Sequence, residues 1–234
     1  MNNITVIVPF YNEEKYLYES VQRLIVEKIF EKIILVNDLS NDNSFEIAQN
    51  LSNNYEQIHL ISTSIQIGKG NAIREALEHV ETSHVIVHDA DLEYFPEDIT
   101  EMYKIAIKNK DSLILGSRTI GDKKRTNLYR TTFYAQKIYA LLFSILNNHR
   151  LTDIASCYWL LETEQLKSMN ISENGFSIEI EVLSKALKEG LSIVEVPIKY
   201  EGRSYQDGKK IRLLDGLKIL LKIISSSKFA SFLK

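Results

Sequence analysis

The chain of 234 residues has a single cysteine, Cys157, so no disulfide can close within it. No uninterrupted apolar run is long enough to span a bilayer; the nearest, IRLLDGLKILLKII over residues 211–224, is broken by charges. Basic residues are not in excess. With 28 lysines and arginines against 31 acidic residues the formal net charge is -3, and bulk charge does not predict nucleic-acid binding. The opening MNNITVIVPF lacks the basic region and long apolar stretch of a secretory signal, which sets the expectation of a cytoplasmic protein. There is no internal repeat, no low-complexity linker, no P-loop, no GxGxxG fingerprint and no cysteine–histidine cluster with zinc spacing. What is present is a composition of 44% hydrophobic and 25% charged residues, in a length that fits one large domain or a domain with an added subdomain.

Short β-branched runs alternate with amphipathic segments through the first half, the pattern of a parallel sheet covered by helices. ITVIVPF, KIILVND, IHLIST, HVIVHDAD and SLILGSR read as strands. Before the second of them, Asn12 is positioned as a helix N-cap, with Glu13 and Glu14 in the first turn and Leu17, Val21 and Leu24 on one face. Ile73, Ala76, Leu77 and Val80 form a second helical stripe, and Pro96 can open a further helix. Beyond about residue 120 the alternation stops, which predicts a second region covering the open face of the sheet. Ligands of an open parallel sheet bind outside the carboxyl ends of its strands, and the polar clusters collect there: YNE, NDLSNDNS, GKG and DAD follow the first four strands. Four such clusters at equivalent positions predict one composite site.

The stretch HDADLEY places Asp89, Asp91 and Glu93 after an apolar run. On a continuing extended path they would share a face, and three like charges there require a cation or a basic group among them. His88, inside the apolar run, reads as a satisfied core residue, and Cys157 and Trp159 in SCYWLL as packing residues. Glu179 and Glu181 in FSIEIEVL would splay apart on a helix, facing either solvent or a site. At the far end, apolar residues 213, 214, 217, 220, 221 and 224 recur at helical spacing with Arg212, Lys218 and Lys222 around them. Such a helix can pack on the core or lie on an anionic bilayer.

Taken in order, VIVPFYNEE, VNDLSNDNS, GKGNAIREA, DADLEY, GSR, TDIASCYWLL, FSIEIEVL and VPIKYEGRSYQDGKK resemble glycosyltransferase family 2, particularly its dolichol-phosphate or polyprenyl-phosphate sugar transferase branch, over about residues 4 to 218. The resemblance implies a single α/β domain of GT-A fold over 1–234, with a nucleotide-binding half (about 1–118), an acceptor-side half (about 119–210) and a C-terminal amphipathic helix (about 211–234). It implies an inverting enzyme that takes a sugar from a GDP- or UDP-sugar. Pro9, Tyr11, Glu13, Asp38 and Lys69 match the nucleotide-sugar pocket, with Asp38 toward the base. The family usually has two consecutive aspartates where this chain has Asn37 and Asp38. Asp89, Asp91 and Glu93 match the motif for Mg²⁺ or Mn²⁺, Asp89 also facing the donor.

Asp153 matches an aspartate near the reacting sugar and, with Asp91, forms the catalytic pair. Arg118, Arg130, Arg203 and Lys209 match positions that bind phosphates, and EGRSYQDGKK reads as a mobile cover over them. The implied acceptor is a polyprenyl phosphate, met by peripheral contact on the inner face of a membrane. Transfer to a sugar hydroxyl in glycan synthesis is the alternative, and non-catalytic sugar-nucleotide binding a further one. A sugar-1-phosphate nucleotidyltransferase would carry a glycine-rich N-terminal signature that VIVPFYNEE does not match.

Overall fold

A computed structural model describes residues 3–126, 130–203 and 213–228, the side chains of 130–131 and 213–214 excepted. Lys209, Arg212, the side chain of Arg130 and most of the expected cover after Arg203 lie outside the described residues. Along the chain come β1 (Ile4–Phe10), α1 (Leu17–Glu27), β2 (Lys32–Asn37), α2 (Ser44–Asn54), β3 (Ile58–Ser62), α3 (Lys69–Leu77), β4 (His84–Val87), α4 (Glu97–Ala106) and β5 (Ser112–Ser117). They are followed by β6 (Arg125–Thr126), α5 (Arg130–Asn147), β7 (Trp159–Glu162), α6 (Thr163–Ser168), α7 (Ile178–Lys188), β8 (Ser192–Pro197), β9 (Tyr200–Glu201) and α8 (Leu213–Ser225).

Seven strands form one sheet in the order β3-β2-β1-β4-β7-β5-β8, and β6 pairs with β9 as a separate ribbon. Every pairing in the large sheet is parallel except those of β7, which runs antiparallel to β4 and β5. The central strands are apolar on both faces because helices cover both. Val6 and Val8 point toward Leu17, Val21 and Leu24 of α1 and Ile99 and Met102 of α4. Ile7 points the other way, into a core with Ile73 of α3, Phe143 of α5, Leu183 of α7 and Ile223 of α8. Ile73, Ala76 and Leu77 of the expected stripe are buried on α3, Val80 is buried just beyond the helix end, and Pro96 directly precedes α4.

Three expectations are corrected. Asn12 does not cap α1: it sits at φ 51, a left-handed conformation that asparagine tolerates, and its side chain exchanges hydrogen bonds with Asn41 while its N–H donates to Ser40 Oγ. Glu13 and Glu14 therefore precede the helix, which begins at Leu17 after a turn on the Glu13 carbonyl. β4 ends at Val87, and Leu92 at φ 62 turns the backbone, so Asp89, Asp91 and Glu93 are not on one extended strand. Residues beyond 120 do more than cover the sheet, because β7 and β8 enter it and β7 fills the gap between β4 and β5. Among the described residues no helix is long and apolar enough to cross a membrane.

Candidate active site at the carboxyl ends of the strands

The three carboxylates after β4 share two cations. Lys69, the first residue of α3, places Nζ 2.8 Å from Asp89 Oδ1 and 2.7 Å from Glu179 Oε1. Arg203 places Nη2 2.9 Å from Asp91 Oδ2 and Nη1 3.1 Å from Glu13 Oε2, and its backbone N–H donates to Glu93 Oε1 at 2.7 Å. The other Glu93 oxygen accepts from the Tyr200 hydroxyl at 2.7 Å. Five acidic side chains from three segments of the chain are thus stitched together by one lysine and one arginine.

The balance is uneven. Burial, then Glu93 and Asp89, push the Asp91 carboxyl up to about 7 against the pull of Arg203. Burial works the same way on Asp89, but Lys69 outweighs it and holds that carboxyl below its usual range, with the Cys157 thiol adding a hydrogen bond. Lys69, which burial alone would discharge, is held well above its usual value by Asp89 and Glu179. Burial leaves Glu179 raised even beside Lys69. The uncompensated repulsion among the carboxylates therefore falls on Asp91, which is the one driven toward its protonated form.

The glycines of GKG serve the protein's own backbone. A Cβ at Gly70 would collide with the Glu173 carbonyl, and Gly68, at φ 125, would meet the Asn174 carbonyl. The loop at 173–175 closes on α3 and is tied there by Gly70 N–H donating to Asn174 O at 2.7 Å. Glu179 and Glu181 are both buried rather than facing solvent, and they do splay apart. Glu179 joins the Lys69 cluster, whereas Glu181 accepts from the backbone N–H groups of Ser172 and Glu173 and pairs with Lys185 at 2.9 Å.

On the other side of Glu93 lies a second buried pair. Arg118 Nε and Nη2 each approach an Asp153 oxygen at 2.7 Å, and the Arg118 backbone N–H donates to the same carboxylate at 3.0 Å. Both side chains are nearly inaccessible, 4% and 2% exposed. Burial would raise the Asp153 carboxyl, but Arg118 outweighs it and holds it below the usual range. Arg118 Nη1 donates to the Tyr94 hydroxyl at 3.1 Å, and its guanidinium lies 4.9 Å over the Tyr200 ring. Tyr200 thus links the Arg118–Asp153 pair to Glu93 and Arg203.

Pro9 and Asp38 sit at the ends of β1 and β2, where the Asp38 N–H donates to Phe10 O at 2.9 Å and Asp38 Oδ1 accepts from the Thr63 hydroxyl at 3.0 Å. Asn37 accepts from the Ser40 N–H at 2.9 Å and so shapes the loop beside Asp38. Tyr11 is half-buried just after β1. His88 is a satisfied core residue as expected, bonded to Ser20 and Tyr158 and pushed down to about 4 chiefly by burial.

Glu13, Lys69, Asp89, Asp91, Glu93, Arg118, Asp153 and Arg203 thus belong to connected clusters, with Asp38 and Pro9 at neighbouring strand ends. Sequence reasoning did not single out Tyr94, Tyr200 or Thr63; the two tyrosines do lie inside the quoted DADLEY and VPIKYEG motifs. Among the described residues no three or more Cys, His, Asp or Glu side chains form a ready metal cage. Both Glu93 oxygens are engaged, and both Asp91 oxygens accept as well, Oδ2 from Arg203 and Oδ1 from the Glu93 N–H at 3.2 Å; Asp89 and Asp91 are half-buried hard-oxygen donors, a pair that suits Mg²⁺ or Mn²⁺ where one or two carboxylates are completed by phosphate and water.

The sequence model of Glycosyl transferase family 2 matches residues 5–168. The dolichol-phosphate mannosyltransferase of Pyrococcus furiosus is 29% identical over 216 residues, covering 89% of this chain, which spans 60% of that protein's length. A dolichyl-phosphate beta-glucosyltransferase of Trichomonas vaginalis is 26% identical over 97% of this chain and 73% of its own. Among solved structures, glucosyl-3-phosphoglycerate synthase from Mycobacterium tuberculosis, in complex with Mn²⁺, UDP and glucosyl-3-phosphoglycerate, superposes with a TM-score of 0.73 at 17% identity, covering 97% of this chain and 80% of that one. The matched region runs from β1 through α6 and carries all four strand-end clusters, so the chain, a GT-A fold protein, belongs to glycosyl transferase family 2.

Proposed function

We propose that the chain is an inverting, divalent-metal-dependent glycosyltransferase that moves a sugar from a GDP- or UDP-sugar to a polyprenyl phosphate at a membrane surface. The observation that carries the choice of acceptor is the state of Asp153. Its two oxygens are held by three donors of Arg118, and the carboxyl is depressed, so it is a weak proton acceptor. A sugar hydroxyl needs its proton removed as it attacks, whereas a phosphate oxygen is already anionic near neutral pH. In this reading the phosphate oxygen attacks the anomeric carbon as the bond to the nucleoside diphosphate breaks on the opposite face. Asp153 orients Arg118 and takes no proton.

Asp38 would accept an N–H from the base beside Pro9 and Tyr11, with Thr63 fixing its orientation. Lys69 and Arg203, held charged by the carboxylates around them, are placed to meet phosphate oxygens, as Arg130 and Lys209 would be outside the described residues. Asp89 and Asp91 would hold Mg²⁺ or Mn²⁺, which when bound neutralises charge on the diphosphate leaving group. Glu93 keeps Tyr200 and the Arg203 backbone in place. The names of the two relatives, both dolichyl-phosphate sugar transferases, support the same acceptor class.

Transfer to a sugar hydroxyl is the second reading, favoured by Asp91, whose value of about 7 suits a general base. The test is release of nucleoside diphosphate from GDP- and UDP-sugars on mixing with Mn²⁺ and a short-chain polyprenyl phosphate in detergent. Release that requires all three components is expected. Release indifferent to the lipid phosphate, or none from any donor, would overturn the proposal.

A further inference from the structure

Between α5 and β7 the chain runs through residues 148–158 with neither helix nor strand, yet it carries Asp153 to a buried position. Backbone N–H groups in such a segment have no ladder to join and must find partners elsewhere. Those of Thr152 and Asp153 meet one side chain, Glu195 of β8. Glu195 Oε1 accepts from the Thr152 N–H at 3.0 Å, from the Thr152 hydroxyl at 2.7 Å and from the Asp153 N–H at 3.2 Å, and Oε2 shares the Thr152 N–H at 3.1 Å. Few carboxylates stand where Glu195 does. β8 is an edge strand paired with β5, and Ile193, two residues earlier on the same face, packs against the core that holds Leu113 and Leu115. A carboxylate half-buried there costs free energy that its hydrogen bonds must offset.

The same network reaches Arg118. A hydroxyl has one proton to give, and that of Thr152 is committed to Glu195. Ser117 Oγ, 2.8 Å from Thr152 Oγ1, is therefore the donor in their contact. Thr119 Oγ1 donates to the Thr152 carbonyl at 3.1 Å, and the Thr119 N–H donates to Ser117 Oγ at 3.3 Å. Ser117 and Thr119 flank Arg118, and Thr152 precedes Asp153, so one set of bonds fixes the backbone on both sides of the buried pair. The hydroxyl protons of Ser117 and Thr152 run in one direction and end on the Glu195 carboxylate.

We infer that Glu195 is a positioning residue for the Arg118–Asp153 pair, acting through the backbone of residues 152 and 153 rather than on the reacting groups. The inference rests on the reading above, in which Asp153 orients Arg118 within the transfer site, and names what holds both in register. Asp38, Lys69 and Asp89 take no part in these bonds, so the donor end of the site should not respond to Glu195.

The test compares the full wild-type chain with Glu195→Ala, Glu195→Gln and Thr152→Val. The first readout is the Arg118 Nε–H resonance in NMR of protein labelled in its arginine side chains, because that proton lies in the 2.7 Å bond to Asp153 and its shift reports the bond in the folded state. It should move in Glu195→Ala toward the position of a solvated guanidinium. The second readout is sugar transfer to a short-chain polyprenyl phosphate in detergent, where Glu195→Ala should lower kcat by about ten- to a hundredfold, the scale of a misplacement near an ångström, with donor KM unchanged. Glu195→Gln keeps an oxygen at the Oε1 position, with its three contacts, and should recover most of both effects. Thr152→Val removes the hydroxyl that joins Ser117 to Glu195 and should show both effects to a smaller extent, so it decides the matter if Glu195→Ala does not fold. An Arg118 resonance unmoved in the variants, with a lower Tm as the only change, would overturn the inference and make Glu195 a plain loop anchor. So would Glu195→Gln as impaired as Glu195→Ala. The resonance needs neither donor nor acceptor, so absence of transfer by wild type refutes the proposed function alone, and transfer with an unmoved resonance refutes only the positioning role.

Discussion

Asp153→Asn should be among the most destabilising single substitutions in the protein. The carboxylate makes two contacts of 2.7 Å with the Arg118 guanidinium and one of 3.0 Å with its backbone N–H, with both side chains almost wholly out of water. Neutralising one partner of such a pair leaves a buried guanidinium uncompensated, at a cost of about 3–5 kcal/mol. For a chain of this size each kcal/mol lowers Tm by roughly 2–4 °C, so a fall of about 6–20 °C follows. The double variant Asp153→Asn/Arg118→Met removes both charges and should recover most of the loss. The pH dependence has a definite sign. The folded carboxyl is depressed, so its contribution is present above the unfolded value of about 3.9 and disappears as pH falls through the folded value. The gap between wild type and Asp153→Asn should therefore close below about pH 4. Urea unfolding of the three proteins at neutral and acid pH measures this. A single-variant loss under about 1 kcal/mol, the scale of an exposed pair, or a double variant as unstable as the sum of the singles, would refute the reasoning.

Asp91 should behave in the opposite sense. Its carboxyl, pushed up to about 7, holds a proton in the folded metal-free chain that the unfolded chain has lost, so stability should fall as pH rises from about 4 to 7. Asp91→Asn should flatten that fall and cut sugar transfer at least about a hundredfold; undiminished turnover of the variant in excess EDTA would refute its metal role. Gly70→Ala drives a Cβ into the Glu173 carbonyl and should cost about 1–3 kcal/mol in urea unfolding. Asp38→Ala should weaken nucleotide binding in calorimetric titration and leave Mn²⁺ affinity alone, and unchanged nucleotide affinity would remove Asp38 from the base pocket.

The first five strands were legible because each is a short apolar run closed by polar residues, buried almost throughout in the central strands and only at Ile58 in the edge strand β3, and the strand-end clusters followed from topology. β7 was not legible: four residues, WLLE, give no period, and only the gap between β4 and β5 makes them a strand. Asn12 looked like a cap because asparagine followed by two glutamates fits both a helix start and a left-handed turn, and the distant Ser40–Asn41 loop decides between them. The residues of the acidic cluster were visible, but their partners were not. Lys69 and Glu179 are 110 residues apart, and Arg203 and Glu13 are 190 apart, separations that helical or strand periodicity does not encode. Glu179 and Glu181 illustrate the cost of this: two carboxylates near the start of a helix stay undecided between solvent and a site until cations from α3, α7 and α8 are brought over them.

The proposed acceptor brings its own negative charge, and the direct measurement is competition between two acceptors. Radiolabelled sugar transfer to a short-chain polyprenyl phosphate is compared with transfer to a saccharide bearing a free hydroxyl, for wild type and for Asp153→Asn held at a temperature where the variant is folded. The prediction is labelled lipid from both proteins, with the variant weaker but active. Labelled saccharide alone, abolished by Asp153→Asn while donor binding survives, would contradict it.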